Sequence, residues 1–279
     1  MTDLAIHQTT QKQIDNFINN PSHALAIYGP PGSGKKSIID HIAKMLISDN
    51  GIRTFNIIAS ENETNGIEDI RKINKYLKTK DVDNGSINKI ITIENFDSYS
   101  IPAQNALLKN LEEPPEGSLI IISATNKNAV LPTINSRVQS INLILPAPEQ
   151  IVKVFENQGY DNFDINKSLS ISGGLPGLMK ALLDDTDHSL LRATQTTKEV
   201  LMADVYDRMI ILDTISKDKT MLLGVCVILQ QMAHLSILSL TEAKSARWKN
   251  ILVTSYECEE NISKNGNTRL ITDKLALQL

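Results

Sequence analysis

The sequence GPPGSGKKSII at residues 29–39 has residue types and a spacing that can bind phosphate. Gly29, Gly34 and Lys35 match the pattern G-x-x-x-x-G-K-[ST], in which backbone amides surround a phosphate and the lysine contacts it as a point charge. The last position differs, because Lys36 stands where a Ser or Thr hydroxyl would bind Mg²⁺. The stretch therefore predicts a phosphate-binding loop whose placement of magnesium is impaired.

Ser37 cannot supply the missing hydroxyl, since one step along a helix turns a side chain by about 100° away from the site. Lys36 also brings positive charge toward the metal position. We therefore assign no metal ligand. The residues expected at a bound nucleotide are Gly29, Gly32, Gly34, Lys35 and Lys36. A glycine- and proline-rich turn without any ligand is the alternative.

A second altered position follows the apolar run KIITI at residues 89–93. In P-loop ATPases such a strand ends in an acidic pair. The first carboxylate holds the magnesium shell, and the second, in many of them, polarises the attacking water. Here Glu94 keeps a carboxylate, but Asn95 follows it. Because an amide cannot accept a proton, the pair indicates loss of hydrolysis, although ordinary polar residues at the end of a strand are the alternative.

Strands and helices alternate through the first half of the chain. The runs ALAIY, TFNIIA, INKIITI and SLIIISA are typical of buried strands, and KSIIDHIAKMLI, IEDIRKINKYLK and PAQNALLKNLEE predict helices. The polar segments at 60–66 and 79–86 predict loops. This order predicts an α/β fold in which helices cover both faces of a parallel sheet. The phosphate loop lies after a strand and before a helix, where such sheets bind phosphates.

The segment PAQNALLKNLEEPPEGSLIIISATNKNAVLPTINSR at residues 102–137 resembles the AAA+ domains of bacterial DNA polymerase III clamp-loader subunits, both the motor subunit gamma/tau and its relative delta prime. NALLKNLEEPP is its most specific part, and IEDIRKI in the preceding helix fits the same family. Elementary packing accounts for part of this block. We expect a core formed by Ala106, Leu107 and Leu111, and a solvated acidic end formed by Glu112, Glu113 and Glu116.

The resemblance implies roles for three further positions. Arg137 matches the arginine of the family's Ser-Arg-Cys motif, which reaches the ATP site of a neighbouring subunit as an arginine finger; Val138 replaces the usual Cys. Thr125 matches the first polar sensor, although a threonine at a strand end is the alternative. Gly177 stands where the motor subunit would carry its second-sensor arginine, so GGLPG is similar to the delta prime version.

The second half of the chain predicts helices only. After Pro146 and Pro148 the pattern becomes wholly helical, which indicates a boundary. By resemblance, residues 1–148 form the AAA+ P-loop domain, 149–185 a helical lid, and 186–279 a helical collar through which subunits assemble. The collar helices are expected in SLLRATQTTKEVLMADVYDRMIILDTI, TMLLGVCVILQQMAHLSILSL and TRLITDKLALQL. Their apolar stripes could equally form a private core.

Composition narrows the class of protein. The chain has 279 residues and a net charge of −4, from 28 basic and 32 acidic residues, which argues against a nucleic-acid binder held by phosphate neutralisation alone. Cys226 and Cys258 lack metal-ligand spacing, and we expect buried, inert thiols. We find no secretory signal pattern and no apolar run close to the roughly 20 residues of a membrane span, so a cytoplasmic protein is expected.

Together these observations predict a delta prime-like clamp-loader subunit of the DNA polymerase III holoenzyme. It would not hydrolyse ATP on its own, would require no cofactor, and leaves open weak binding of ATP or ADP. Its implied partners are the gamma/tau and delta subunits and, through the assembly, the sliding clamp and primer-template DNA. An active gamma/tau-like ATPase is the main alternative, and a P-loop kinase or unrelated nucleotide switch is another.

Overall fold

The computed structural model describes residues 4–46, 53–58, 66–77, 87, 89–186, 188–239 and 242–279. The predicted loops at 60–66 and 79–86 lie outside these residues, apart from Gly66. The chain divides into two compact units. The sheet unit comprises Ile6–Pro30 and Gly34–Pro146, and the helical unit includes Pro31–Ser33 and Ala147–Leu279. The three-part division at 148 and 185 stays a prediction.

The sheet unit is built on five parallel strands in the order β2-β3-β4-β1-β5. All residues of β1 and β4 are buried, as expected for a parallel sheet covered on both faces. The α/β fold class predicted from the sequence is confirmed. The strands are β1 (Ala24–Tyr28), β2 (Arg53–Ile58), β3 (Lys89–Glu94), β4 (Ser118–Ala124) and β5 (Gln139–Asn142).

Helices α2, α3 and α4 of the sheet unit were expected from their apolar spacing. Two more were not predicted: α1, whose N-terminus is capped by the His7 side chain, and the short α5, which begins at Pro132. The helices are α1 (Gln8–Asn19), α2 (Lys35–Leu46), α3 (Ile67–Leu77), α4 (Ile101–Glu112) and α5 (Pro132–Asn135).

Helix α4 corrects one expected core residue. Ser100 caps its N-terminus by accepting the N–H of Ala103, which sets the helix phase. Ala103, Leu107 and Leu111 then lie four residues apart on the buried face, whereas Ala106 is exposed. The prediction that Ala106 belongs to the core was wrong, and those for Leu107 and Leu111 are confirmed.

The helical unit consists of eight helices in the described residues after Pro146. The run at 189–215, expected to be one helix, is two: Ala203 adopts an extended conformation, and the Asp204 side chain caps the next helix by accepting the N–H of Asp207. The helices are α6 (Pro148–Asn157), α7 (Asn162–Ser172), α8 (Pro176–Leu183), α9 (Leu191–Met202), α10 (Val205–Ile215), α11 (Lys219–Ser239), α12 (Glu242–Ser263) and α13 (Thr268–Gln278).

Helix α11 corrects the expectation that no segment is apolar enough to span a membrane. Lys219–Leu238 meets the length and composition of a span, with a mean hydropathy of 1.8, but half of this segment is buried inside the protein. Val225, Cys226 and Leu229 belong to the core that α11 shares with α9, α12 and α13. A helix that contributes to a protein core can therefore have the length and hydropathy of a membrane span.

Both cysteines lie in this core as expected. Cys226 and Cys258 are buried free thiols, and burial raises the pKa of Cys226 strongly and that of Cys258 to about 11. Neither thiol is therefore ionised near neutral pH, which is consistent with structural residues.

We predict that Gly173→Ala destabilises the helical unit. Gly173 ends α7 with φ of +64°, and an added Cβ would lie 2.5 Å from Gln231 Cβ and 2.8 Å from the backbone carbon of Gln231. The substitution should therefore cost more than the roughly 1 kcal/mol of a left-handed alanine, because α11 must also shift. Thermal unfolding followed by circular dichroism measures the loss.

Gly159→Ala is the matched control for that substitution. Gly159 also has a positive φ, +91°, but an added Cβ would meet nothing within 4 Å. It should show the conformational cost alone. Equal losses of stability in the two variants would contradict the packing assigned to Gly173.

Candidate functional site

The parallel sheet brings the predicted site residues together at the carboxyl ends of its strands. Because β1, β3 and β4 run in the same direction, their carboxyl ends lie together. The phosphate loop follows β1 after Tyr28, Glu94 is the last residue of β3, and Thr125 follows β4. Gly29 joins the loop to the sheet by donating its N–H to the carbonyl oxygen of Ala124 at 3.2 Å.

Lys35 points its ammonium group back onto the loop. Its Nζ donates to the carbonyl oxygens of Gly29 at 2.6 Å and Pro30 at 3.0 Å. Burial lowers the pKa of Lys35 to about 8, against the opposing charges of Asp97 and Glu94. Since an ammonium has three N–H bonds, two are engaged by the loop itself in this arrangement.

Lys36 pairs directly with the acidic residue at the end of β3. Its Nζ donates to Glu94 Oε1 at 2.7 Å, and the side chains are 55% and 15% exposed, respectively. This hydrogen bond raises the pKa of Lys36. The two residues that would belong to a magnesium site, one at the start of α2 and one at the end of β3, are thus joined by an ion pair.

Magnesium is the ion that this class of loop implies, and the residues present do not fit it. Mg²⁺ requires oxygen ligands in nearly octahedral geometry. Lys36 offers only N–H donors in place of a hydroxyl oxygen, and its ammonium occupies the Glu94 carboxylate. The positive charge beside the Glu94 carboxylate is thus already supplied by the Lys36 ammonium.

Asn95 and Thr125, two further positions singled out in the sequence, differ in their surroundings. Asn95 is exposed and adopts a left-handed conformation with φ of 53°. Thr125 donates its hydroxyl to Asp97 Oδ2 at 2.6 Å, and its backbone N–H contacts the same oxygen at 3.0 Å. The Thr125 hydroxyl is thus hydrogen-bonded to a carboxylate. Sequence reasoning missed Asp97, because a lone Asp in a polar turn gives no signal of its distant partner.

The segment that carries Arg137 is fixed to the sheet unit by buried contacts. Ile134 is fully buried, and the Tyr28 hydroxyl at the end of β1 donates to Asn135 Oδ1. Asn135 in turn donates its amide to the carbonyl oxygens of Lys127 and Val130. Arg137 therefore follows a short helix whose position is well determined.

The Arg137 guanidinium lies at the surface. Its Nη2 is 2.9 Å from Glu112 Oε1, and its Nη1 donates to the Thr133 carbonyl oxygen at 2.8 Å and to Ser136 Oγ at 3.2 Å. The Arg137 side chain is 36% exposed and that of Glu112 is 51% exposed. Glu112, expected only as part of a solvated acidic end, is thus the carboxylate partner of Arg137.

Gly32 and Gly177 lie together within the helical unit. The Gly32 carbonyl oxygen accepts N–H groups from Gly177 at 2.8 Å and Leu178 at 3.2 Å. Gly177 near the start of α8 provides a backbone donor where a second-sensor arginine would extend a side chain. The tip of the phosphate loop is therefore held by the hydrogen bonds that the Gly32 carbonyl oxygen accepts.

Comparison with known proteins finds similarity to subunits of DNA polymerase III and of replication factor C. The profile of the family described as "DNA polymerase III, delta subunit" matches residues 46–146. Human replication factor C subunit 5 is 28% identical over 159 residues, or 56% of this chain and 46% of that protein. The delta' subunit of DNA polymerase III from Haemophilus influenzae is 30% identical over 43% of this chain and 36% of its own length.

Two further comparisons concern a bacterial subunit and the fold. DNA polymerase III subunit tau of Bacillus subtilis is 32% identical over 42% of this chain and 24% of its own length. The chain thus spans about half or less of these three relatives. The RuvB Holliday junction branch migration motor of Thermotoga maritima shares the fold, with a TM-score of 0.50, 15% identity, and coverage of 96% of this chain and 85% of that one.

The parallel sheet and its loop therefore belong to an α/β fold that this chain shares with the RuvB motor. The matches to DNA polymerase III subunits are more specific. The chain is therefore similar in sequence to subunits of DNA polymerase III and of replication factor C.

We predict that the Lys35 amine titrates near pH 8. The folded pKa lies below the ordinary value of 10.5, so the unfolded chain holds a proton between these two pH values that the folded chain lacks. Stability should therefore rise with pH across this window. Carbon-detected NMR of lysine side chains, assigned with Lys35→Arg, measures the midpoint. A Lys35 midpoint at 10.5 would contradict the burial described for this ammonium.

Proposed function

We propose that this chain is a non-hydrolysing, delta prime-like subunit of the bacterial DNA polymerase III clamp loader, and that it supplies Arg137 to the ATP site of a neighbouring subunit. The observation that carries the proposal is the ion pair between Lys36 and Glu94. It supports the loss of hydrolysis, because an ammonium engages the carboxylate that a metal site would use.

Phosphoryl transfer depends on positioning and on neutralising charge. In P-loop enzymes a metal ion bridges the outer phosphates, and further groups orient the attacking water. Here Lys36 replaces the metal-binding hydroxyl, Asn95 replaces a proton acceptor, and Thr125 donates to Asp97. These features support a subunit that takes part in ATP-driven work without hydrolysing ATP.

Arg137 has properties suited to acting on another chain. Its backbone follows the anchored α5, which favours a precise position. The ion pair with Glu112 is solvent-exposed, so its release should cost about 1 kcal/mol or less. A guanidinium can form a planar, two-pronged contact with phosphate oxygens. Arg137 is therefore well placed to leave Glu112 for a phosphate of a neighbouring subunit.

The helical unit supports a role in assembly. Large apolar side chains on its last helices are exposed, although the unit has its own buried core. They are Leu238, Val253, Tyr256, Leu270 and Leu277. In the proposed complex the gamma/tau and delta subunits would cover such surfaces. The sliding clamp and primer-template DNA would be engaged by the whole assembly, in the cytoplasm. A net charge of −4 on this chain suits a role in which the assembly, and not this chain alone, holds the DNA.

The match to subunit tau supports a second candidate, an active ATPase. ATP turnover by the isolated chain separates the two. Turnover in the per-second range of ordinary enzymes, abolished by Lys35→Ala, would favour the ATPase and contradict a non-hydrolysing subunit.

We predict that Arg137→Ala slows ATP hydrolysis by the reconstituted complex and leaves the fold and incorporation of this chain intact. An arginine finger is worth roughly 10³ to 10⁵ in rate, and the other sites of the complex will mask part of the loss. Single-turnover hydrolysis and clamp loading measure it. Arg137→Lys should rescue little, because an ammonium cannot reproduce the two-pronged contact.

Arg269→Ala is the matched control for the arginine finger. Arg269 is also exposed and lies 3.8 Å from a carboxylate oxygen of Asp213 on the helical unit. The complex that contains this variant should hydrolyse ATP and load clamps at wild-type rates. If both Arg137 variants did the same, Arg137 would have no part in the mechanism.

A further inference from the structure

The start of α2 carries a positive charge where related loops recruit a metal ion. Lys36 lies in the first turn of this helix and reaches across to Glu94 at the end of β3. The two residues are 58 positions apart in the chain. Their contact is therefore produced by the fold and not by local sequence.

A magnesium ion would have to displace this ammonium to reach Glu94. Lys36 would then remain nearby as an unpaired positive charge, since its stem begins at the same helical turn. Repulsion between the ammonium and the divalent ion opposes that exchange. Glu94, the carboxylate at the position that P-loop proteins use for their metal shell, is thus paired with Lys36.

The ammonium can perform one part of the metal's task. It carries three N–H bonds, one of which is donated to Glu94. Two others can be donated to phosphate oxygens at the loop. A single positive charge neutralises less of a polyphosphate than Mg²⁺ does, and it cannot bring ordered waters to the reacting phosphate.

We propose that the Lys36 ammonium is a built-in replacement for magnesium, so that this loop takes a nucleoside di- or triphosphate without a divalent cation. The inference rests on the proposed reading of the loop as a nucleotide site. It does not depend on Arg137 or on assembly, so the two proposals can fail separately.

The test uses the isolated full chain and a fluorescent ADP, titrated in MgCl₂ and in EDTA. The wild-type affinity should be the same in both within about twofold, a difference of less than 0.5 kcal/mol. Lys36→Thr restores the hydroxyl and frees Glu94. Its affinity should be about tenfold or more higher in MgCl₂ than in EDTA, the size of effect typical of groups around a metal.

Three further variants identify the groups responsible. Lys36→Met removes the ammonium without adding a hydroxyl, and should weaken binding in EDTA. Adding Glu94→Gln to Lys36→Thr should abolish the gain from magnesium. Lys44→Thr makes the same substitution at an exposed position near the end of α2 and should behave as wild type. Circular dichroism confirms that each variant is folded.

Two outcomes would overturn the proposal. The first is wild-type binding that strengthens tenfold or more with magnesium, since the ammonium would then not hold the metal position. The second is a folded Lys36→Thr variant that gains no magnesium-dependent binding, including one that binds no nucleotide under either condition.

Discussion

An ammonium group pairs with the carboxylate at the end of β3, the position at which P-loop NTPases hold a metal ion. Lys36 donates to Glu94 at 2.7 Å, and two neighbouring side chains are also hydrogen-bonded within the protein. Lys35 turns to the carbonyl oxygens of its own loop, and Thr125 donates its hydroxyl to Asp97. The side chains of Lys35, Lys36 and Thr125 are thus each hydrogen-bonded within the protein.

The sheet is what makes this contact possible. Strand β3 pairs with β4 and β4 with β1, all in parallel, so the loop after Tyr28 and the carboxylate of Glu94 arise at the same edge. The segment with Arg137 is tied to the end of β1 through Tyr28 and Asn135. One scaffold therefore positions both the Lys36–Glu94 ion pair and the surface arginine Arg137.

The sequence was sufficient for the elements that repeat a simple pattern. Largely apolar runs predicted β1 and β4, and the spacing of Leu107 and Leu111 predicted their burial in α4. Strand β5 was missed because Gln139–Asn142 is short and has one buried residue, Ile141. Ala106 was misplaced because small residues at neighbouring positions fit an amphipathic pattern equally well, and the cap at Ser100 sets the phase.

The sequence predicted only those features of the site that depend on neighbouring residues. The glycine spacing and the departures at Lys36 and Asn95 are local and can be read directly. The partners are not local: Lys36 and Glu94 are 58 residues apart, and Thr125 lies 28 residues from Asp97. A sequence pattern shows that a hydroxyl is missing, but only the fold shows that Lys36 pairs with Glu94.

The most direct measurement is a crystal structure of the wild-type chain grown with a non-hydrolysable ATP analogue and Mn²⁺, using the anomalous signal of manganese. Lys36 Nζ should remain at hydrogen-bond distance from Glu94, with no manganese peak at the carboxylate. A manganese ion bound to Glu94 at about 2.1 Å, the distance typical of a small divalent ion, with Lys36 turned away, would contradict the replacement of the metal by Lys36.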